Sequence, residues 1–571
     1  MPKSYHSIAM HKIKLFLPII LISFCTAQLE LQGFVFHDRN GNGVMDQTES
    51  GIGGQRVSNG EDIVLSDKSG HFSISAQQND VIFIIKPPNW DIPTNEFGIP
   101  KFFHNVRMNP SPAYLKYKAF ETALLPETIY FPLVQSKVQR RFQAIMSGDP
   151  QPRDSTEIQY YREEIIAKML VEKDMDFYVP LGDIMYDDLS LYPYYLEQVG
   201  TLGIPIWHVL GNHDLNYRAK NDTEAHETWN SFFGPDYYSF EYGDVHFIAM
   251  NTVYYEGWNT EENKRGSYMG LLTEAQLTWL ENDLKYVSGN DRIVLLSHIP
   301  IISDVYQGER VEVTNRDALF QLLADHKYLL GLSGHMHYIE NMYLTNTHGW
   351  NQKTSFQNMV LGAACGAWWY GPLQADGIPY AYHYDGTPNG YFKFKFSRNV
   401  YHYDFVPGAS DPNITFRIST PEGKVPYAMT DTMQIAVNVF YGSENTVVTC
   451  TLDDQSLHLE KQFHAEDPFM NRIIQNNPDL YPEMENMPIN NHMWMGKTGK
   501  LAKGQHVLRV KVVNDNGTVE KQVKIFEVFR SLLRVLQNAC SPEDTCASLY
   551  NQNATIQIHK RQILLFPSHL S

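Results

Sequence analysis

Apolar positions between residues 136 and 398 follow two rhythms. Six short runs have the length of buried strands: Gln143-Ala144-Ile145-Met146, Phe177-Tyr178-Val179-Pro180-Leu181, Ile206-Trp207-His208-Val209-Leu210, Val245-His246-Phe247-Ile248-Ala249, Ile293-Val294-Leu295-Leu296 and Leu329-Leu330-Gly331-Leu332. Between them apolar residues recur three and four apart. Thr273 and Gln276 form a capping box ahead of Leu277, Leu280 and Leu284, and Asn315 caps a second helix carrying Leu319, Leu322 and Leu323. Strands alternating with helices predict a layered α/β domain over 136–398.

The flanks read differently. Over 28–135, short runs such as Ile63-Val64-Leu65 and His71-Phe72-Ser73-Ile74 are separated by the turn Asp67-Lys68-Ser69-Gly70. Over 399–528, Ile435, Val437 and Val439 alternate, as does Leu508-Arg509-Val510-Lys511-Val512. There Asp515-Asn516-Gly517 turns the chain into Val523-Lys524-Ile525, the grammar of an immunoglobulin-like sandwich. The fold class is therefore α/β with all-β N-terminal and C-terminal domains. Residues 529–571 remain unassigned: Arg530 to Leu536 has helical character, and Ile563-Leu564-Leu565-Phe566 has no evident partner.

The first β module carries a candidate calcium loop. Asp38, Asn40, Asn42, Asp46 and Glu49 fall at positions 1, 3, 5, 9 and 12 of a twelve-residue loop, with Gly43 at the sharp turn and the Val44 carbonyl at position 7. The surroundings are strand-like, so the stretch resembles the calcium-loop β-sandwich repeats of bacterial surface proteins, where the ion stiffens the module.

Composition narrows the partners. A net charge of -18 argues against nucleic acid or an acidic membrane surface. An anionic substrate would need a local reversal of that field, which a metal cluster provides. Lys12 and Lys14, the apolar run Leu15 to Phe24 and the small-residue site Cys25-Thr26-Ala27 read residues 1–27 as a signal peptide, predicting export to the periplasm, cell surface or medium. That run is too short for stable membrane insertion. Cys365, Cys450, Cys540 and Cys546 are too few for a disulfide scaffold, although Cys540 and Cys546 are close enough in sequence to pair.

Five polar clusters follow apolar strands in order: Asp149-Pro150-Gln151, Gly182-Asp183-Ile184-Met185-Tyr186, Gly211-Asn212-His213-Asp214, Ser297-His298-Ile299-Pro300 and Gly334-His335-Met336-His337. Singly each is an ordinary turn. Jointly, at strand ends of an α/β sheet, they converge on one edge. This set resembles the calcineurin-like metallophosphoesterases over about 260 residues. The resemblance implies a β-sandwich flanked by helices and a binuclear site of Mn, Fe or Zn. It implies that Asp149, Asp183 and His337 hold the first metal, that Asp183 bridges, and that Asn212, His298 and His335 complete the second. His213 would serve the leaving group, oriented by Asp214, while a hydroxide shared by ions about 3.5–4 Å apart attacks phosphorus.

Gln151 stands where the family usually has histidine, and an amide oxygen is the weaker ligand. Tyr186 makes the second cluster similar to that of the purple acid phosphatases, where the tyrosine binds ferric iron, so it joins Gln151 as a candidate ligand. Gly366-Ala367-Trp368-Trp369-Tyr370 and Asp385-Gly386-Thr387-Pro388-Asn389-Gly390 are placed to wall the cleft, with Trp369, Asp385 and Asn389 as substrate-binding candidates. The expected function is an exported phosphoesterase acting on a small-molecule or headgroup phosphate ester. A surface-binding or scaffolding protein with a degenerate site is the alternative, and oligomeric state is left open.

Overall fold

A computed structural model describes residues 29–408, 414–481 and 490–530, together with the strands Ile556–His559 and Gln562–Leu565. The signal-peptide reading of 1–27, the possible Cys540–Cys546 pair and the helix expected after Arg530 lie outside the described residues.

In the central domain two sheets face each other across one core. The first has the order Phe177–Pro180, Arg141–Ser147, Gly390–Ser397, Val400–Pro407. The second runs Tyr238–Tyr242, Val245–Ala249, Arg292–Ser297, Tyr328–Ser333, Phe356–Leu361, Ile339–Tyr343. Within Arg141–Ser147 the pleat sends Phe142, Ala144 and Met146 into the core shared with Phe247, Val294 and Leu330. Ile145 points the other way, to Tyr161, Ile165 and Tyr195 of the covering helices. Strands covered on both faces are apolar throughout rather than alternating, which is why these runs read as continuous.

Three local expectations change. Residues 206–210 lie beside Phe177–Pro180 but form only the single bridges Tyr178↔Ile206 and Leu181↔Val209. Pro180 has no N–H to donate, so the ladder breaks between the bonds Trp207 N to Tyr178 O (2.9 Å) and Val209 N to Pro180 O (3.2 Å). The boundary expected at 398 falls inside a hairpin: Val400–Pro407 pairs along its length with Gly390–Ser397, and Arg398 makes the turn at φ 56° without the usual glycine. The central domain therefore extends to 407. Thr273 does cap its helix, accepting from Gln276 N at 3.3 Å. Asn315 instead brackets Leu272, accepting its N–H at 3.0 Å and donating to its carbonyl at 2.8 Å.

The N-terminal module is a sandwich of two four-stranded sheets, with Leu29–His37 antiparallel to His71–Ala76 and parallel to Ile129–Gln135. Its twelve-residue loop is wound around Asp38, fully buried, whose carboxylate accepts from the N–H groups of Gly41 (2.7 Å), Asn42 (3.2 Å) and Gly43 (2.8 Å). Glu49 ties the loop ends by accepting from Arg39 N and Asp46 N. The module docks on the central domain through Arg56, which pairs with Glu241 at 2.7 Å beside the buried His246–Asp283 contact. The C-terminal module is a sandwich of a four- and a five-stranded sheet around Phe416, Val437, Trp494, Val510 and Phe526. Among the described residues no helix is long and apolar enough to cross a membrane.

Candidate metal centre

Arg141–Ser147 runs parallel to Phe177–Pro180 and Arg292–Ser297 parallel to Tyr328–Ser333, and the clusters predicted at their ends meet at one edge. The backbone there is strained. Gln151 (φ 36°), Asp183 (46°), His335 (72°), His337 (50°) and Trp368 (60°) all adopt left-handed conformations, each costing about 1–3 kcal/mol in a non-glycine residue. Glycines permit the close approach: a Cβ on Gly211 would lie 2.0 Å from Asp183 N, and one on Gly334 2.3 Å from Asp149 Oδ1. Concentrated strain of this kind marks a site that the rest of the fold holds in place.

The three histidines are each anchored by one ring nitrogen. His298 Nδ1 lies 2.9 Å from Leu181 O, His335 Nε2 lies 2.8 Å from Arg310 O, and His337 Nδ1 lies 2.5 Å from Gly366 O. A carbonyl only accepts, so each of these nitrogens carries a proton, and in the neutral imidazole it is the other nitrogen that offers the lone pair. The free nitrogens converge. His298 Nε2 is 3.1 Å from Asn212 Oδ1, 3.1 Å from Asp183 Oδ2 and 3.2 Å from His335 Nδ1. His337 Nε2 is 3.4 Å from Asp149 Oδ2. Among the described residues Asp183, His298 and His335 bring ligand atoms within 4.8 Å of one another.

Next to them two buried oxygens have no hydrogen-bond partner, Asp149 Oδ2 and Gln151 Oε1. Gln151 is 1% exposed and spends its amide hydrogens on Asp183, Nε2 to Oδ2 at 2.9 Å, while its backbone N–H donates to Asp183 O. An orphaned amide oxygen in such a place costs about 1–3 kcal/mol unless something meets it. The donors therefore fit a cation: two carboxylates, two amide oxygens and three imidazole lone pairs, buried together.

The charge balance agrees. Burial opposes protonation of His298 and His337, yet Asp183 draws the first and Asp149 the second up to about 9. His335, half-buried, is pushed down to about 4 by desolvation and by the neighbouring His298. Asp183 stays below the usual carboxylate range despite its burial, held there by His298 and His213. These carboxylates demand positive charge between them.

The residues around this cluster depart from expectation in four places. Asp214 does not touch His213. Its carboxylate, fully buried, accepts from Ile184 N (3.0 Å), Gly211 N (2.9 Å) and Tyr192 Oη (2.9 Å), clamping the 211–214 turn to the Asp183 loop. Burial and Asp183 raise it to about 7. His213 is oriented instead by Asp187, Nδ1 to Oδ1 at 2.8 Å, and burial's depression of its pKa is outweighed by Asp183 and Asp187, which raise it. Tyr186 stacks on the His213 ring, centroids 4.6 Å apart, and the residue is 38% exposed. Of the tryptophans, Trp368 lies at the site, 4.6 Å from the His337 ring and 5.6 Å from Tyr186. Trp369 faces the core, donating to the buried Glu164 at 2.8 Å. Asp385 and Asn389 are fully buried braces. Asp385 accepts from Ile339 N (2.7 Å), Thr387 N (2.8 Å) and His492 Nε2 (3.1 Å), and Asn389 donates to Glu164 and Ala364 O.

Asp187 directly follows the Gly-Asp-x-x-Tyr cluster, and its adjacency is the only sequence signal that marked it. Arg265 and Arg310, which also border the site, lie in loops with no signal of their own.

Comparison with known proteins bears on this geometry. The model of the calcineurin-like phosphoesterase family matches residues 148–338, that of its N-terminal part residues 39–121 and that of its C-terminal part residues 358–519. Serine/threonine-protein phosphatase CPPED1 of Pongo abelii, and the protein of the same name from Homo sapiens, are each 29% identical over 138 residues, 22% of this chain. The chain spans 40% of the length of these curated relatives. Among solved structures, purple acid phosphatase PPD1 from yellow lupin (Lupinus luteus) seeds aligns with a TM-score of 0.34 at 12% identity, covering 68% of this chain and 73% of that one. GAP50, the anchor in the inner membrane complex of Plasmodium, aligns at 0.31 and 16%, covering 48% and 87%. At those scores neither structure adds to the argument.

Proposed function

We propose, from the premise that the chain belongs to the calcineurin-like phosphoesterase family, that it is a metal-dependent hydrolase of phosphate mono- or diesters. The observation that carries this is the anchoring of His298, His335 and His337 on backbone carbonyls, which aims three lone pairs at Asp149 and Asp183. In this reading Asp149, Gln151, Asp183 and His337 hold one divalent ion, and Asp183, Asn212, His298 and His335 hold a second. When bound, such a pair polarises a phosphoryl oxygen and supplies the nucleophile near neutral pH. Mixed nitrogen and oxygen donors suit Mn, Fe or Zn.

The chain's own residues do the rest. Asp183, which both ions would share, accepts from His213 N at 2.7 Å and so fixes the backbone of the proton donor beside it. His213, held through Nδ1 by Asp187, presents Nε2 to the departing alkoxide, and its raised pKa keeps a proton available there. Tyr186, stacked on His213, and Trp368, edge-on to Tyr186, wall that edge. The test is hydrolysis of p-nitrophenyl phosphate and bis(p-nitrophenyl) phosphate after loading with Mn, Fe or Zn, with metal counted by mass spectrometry. Close to two ions per chain and metal-dependent turnover are expected; a chain that binds no transition metal would sink the reading.

Two finer points belong to the same proposal. Calcium in the Asp38–Glu49 loop would stiffen the N-terminal module, and rests on ligand spacing and the burial of Asp38. A calcium-dependent rise in melting temperature, absent in Asp38→Ala, tests it. Export rests on the pattern of residues 1–27, and recovery of a chain beginning at Gln28 outside the cytoplasm tests that.

A further inference from the structure

Two arginines border the metal centre and take no part in the chemistry proposed for it. Arg265, 35% exposed at its side chain, donates from Nη1 to Asp187 Oδ2 at 3.2 Å, and its guanidinium lies 3.6 Å over the ring of Tyr217. Tyr217 in turn donates its hydroxyl to the Asn212 carbonyl. Arg310, exposed, lies with its guanidinium 4.3 Å over Tyr268, while its carbonyl anchors His335. The Tyr268 ring stands edge-on to His335 at 6.2 Å and feels both arginines. Each guanidinium thus lies over an aromatic ring that neighbours a metal-binding residue. One is next to the group that serves the leaving oxygen, the other next to the second metal position.

The fold gives these charges little to do. Arg265 commits one of five N–H groups to Asp187, and among the described residues Arg310 meets no carboxylate at ion-pair distance. In a chain of net charge -18, two guanidiniums at one mouth add local positive charge on which an anion can be received. The scissile phosphate would be met by the ions that the ligand set would hold. What a planar fork over an aromatic platform still matches is a further phosphate, taken through paired N–H groups. A neutral leaving group would pass both arginines without meeting them.

We infer that Arg265 and Arg310 form a second phosphate subsite and that the preferred substrate carries another phosphate on its leaving group. This rests on the phosphoesterase reading above. Charge-assisted hydrogen bonds of this kind are worth about tenfold or more in discrimination.

The test compares kcat/KM for pairs that share a scissile bond, using the metal-loaded full chain: fructose 1-phosphate against fructose 1,6-bisphosphate, and adenosine 5′-monophosphate against adenosine 3′,5′-bisphosphate. At least one bisphosphate is expected to exceed its partner by about tenfold or more, with a preference that shrinks as ionic strength rises. Which pair responds separates a sugar from a nucleoside leaving group. In Arg310→Gln, which keeps the carbonyl on His335, and in Arg265→Gln, the bisphosphate-to-monophosphate ratio should fall toward one whatever happens to the absolute rates. Equal kcat/KM within both pairs overturns the inference, and so does a preference that survives both substitutions. Failure to hydrolyse any of the four, with p-nitrophenyl phosphate also untouched, overturns the phosphoesterase reading itself.

Discussion

Two stretches of this chain look alike in sequence and do opposite things. Gly334-His335-Met336-His337 and His383-Tyr384-Asp385-Gly386-Thr387-Pro388-Asn389 are both polar, turn-rich and buried next to the same edge of the sheet. In the second, polar groups are paired off. Asp385 collects Ile339 N–H, Thr387 N–H and hydroxyl, and His492 from the C-terminal module, while His383 is bonded to Ala363 and Thr387. Only Asn389 Oδ1 lacks a partner there. In the first, imidazole nitrogens confront each other and carboxylates, Asp149 Oδ2 comes no closer than 3.4 Å to His337 Nε2, and Gln151 Oε1 has no hydrogen-bond partner. A buried polar cluster that is satisfied is a brace, and one left aimed at a common point is a site.

The sharpest break between them is Asp183→Asn against Asp385→Ala. Removing the charge at Asp183 takes away the one group shared by both proposed ion positions, so kcat should fall by about 10³-fold, several kcal/mol of transition-state stabilisation. Metal per chain should fall with it. Because His298 and His213 outweigh burial and hold the Asp183 carboxyl below the usual range, its charge stabilises the fold, and the melting temperature should fall as well. Unaltered turnover in Asp183→Asn would dissolve the contrast.

Asp385→Ala should act chiefly on stability, costing about 3 kcal/mol in chemical denaturation because it strands several buried donors at once. The pH dependence has a defined sign. Burial would raise Asp385, but His492 and Thr387 outweigh it and hold the folded-state value at about 2. A lowered carboxylate stabilises the fold above its unfolded value near 3.9 and loses that contribution as pH falls toward 2. About 2 kcal/mol of acid-dependent stability should therefore vanish between roughly pH 4 and pH 2, and Asp385→Asn should flatten that part of the profile.

Much of this was legible from the chain. Continuous apolar runs ending in Gly-Asp, Gly-Asn-His-Asp and Gly-His-x-His mark the strand ends, because a doubly covered strand has no polar face and the edge must turn sharply. What the residues could not disclose was pairing. The sequence offers Asp214, adjacent to His213, as its partner; only the fold spends Asp214 on Ile184, Gly211 and Tyr192 and brings Asp187, 26 residues away, to the imidazole. The break at Pro180 and the glycine-free turn at Arg398 are invisible for a similar reason: each depends on what the neighbouring strand offers.

That ambiguity supplies the next comparison. Asp187→Asn should lower kcat about 10- to 100-fold, the usual cost of losing a group that orients a reacting imidazole, with little change in stability because Asp187 is partly exposed. Asp214→Asn should instead destabilise the fold by about 1–3 kcal/mol, through a buried clamp on three donors. If Asp214→Asn proved the more damaging to kcat at equal metal content, the assignment of His213's partner would be reversed.

The smallest effect separates neighbours one residue apart. Trp369 is 4% exposed and hydrogen-bonded to Glu164, so Trp369→Ala opens a cavity and should cost about 3–5 kcal/mol. Trp368 is held at φ 60° with its ring over His337 and its indole N–H unpaired. Its truncation removes a wall of the cleft rather than a piece of the core, so Trp368→Ala should raise KM only a few-fold, about 1 kcal/mol of contact, while melting stays near that of the parent. Trp368→Phe keeps the ring but not the donor. If it restores KM, the wall acts by packing; if KM stays high, the unpaired indole N–H is the contact that substrate makes.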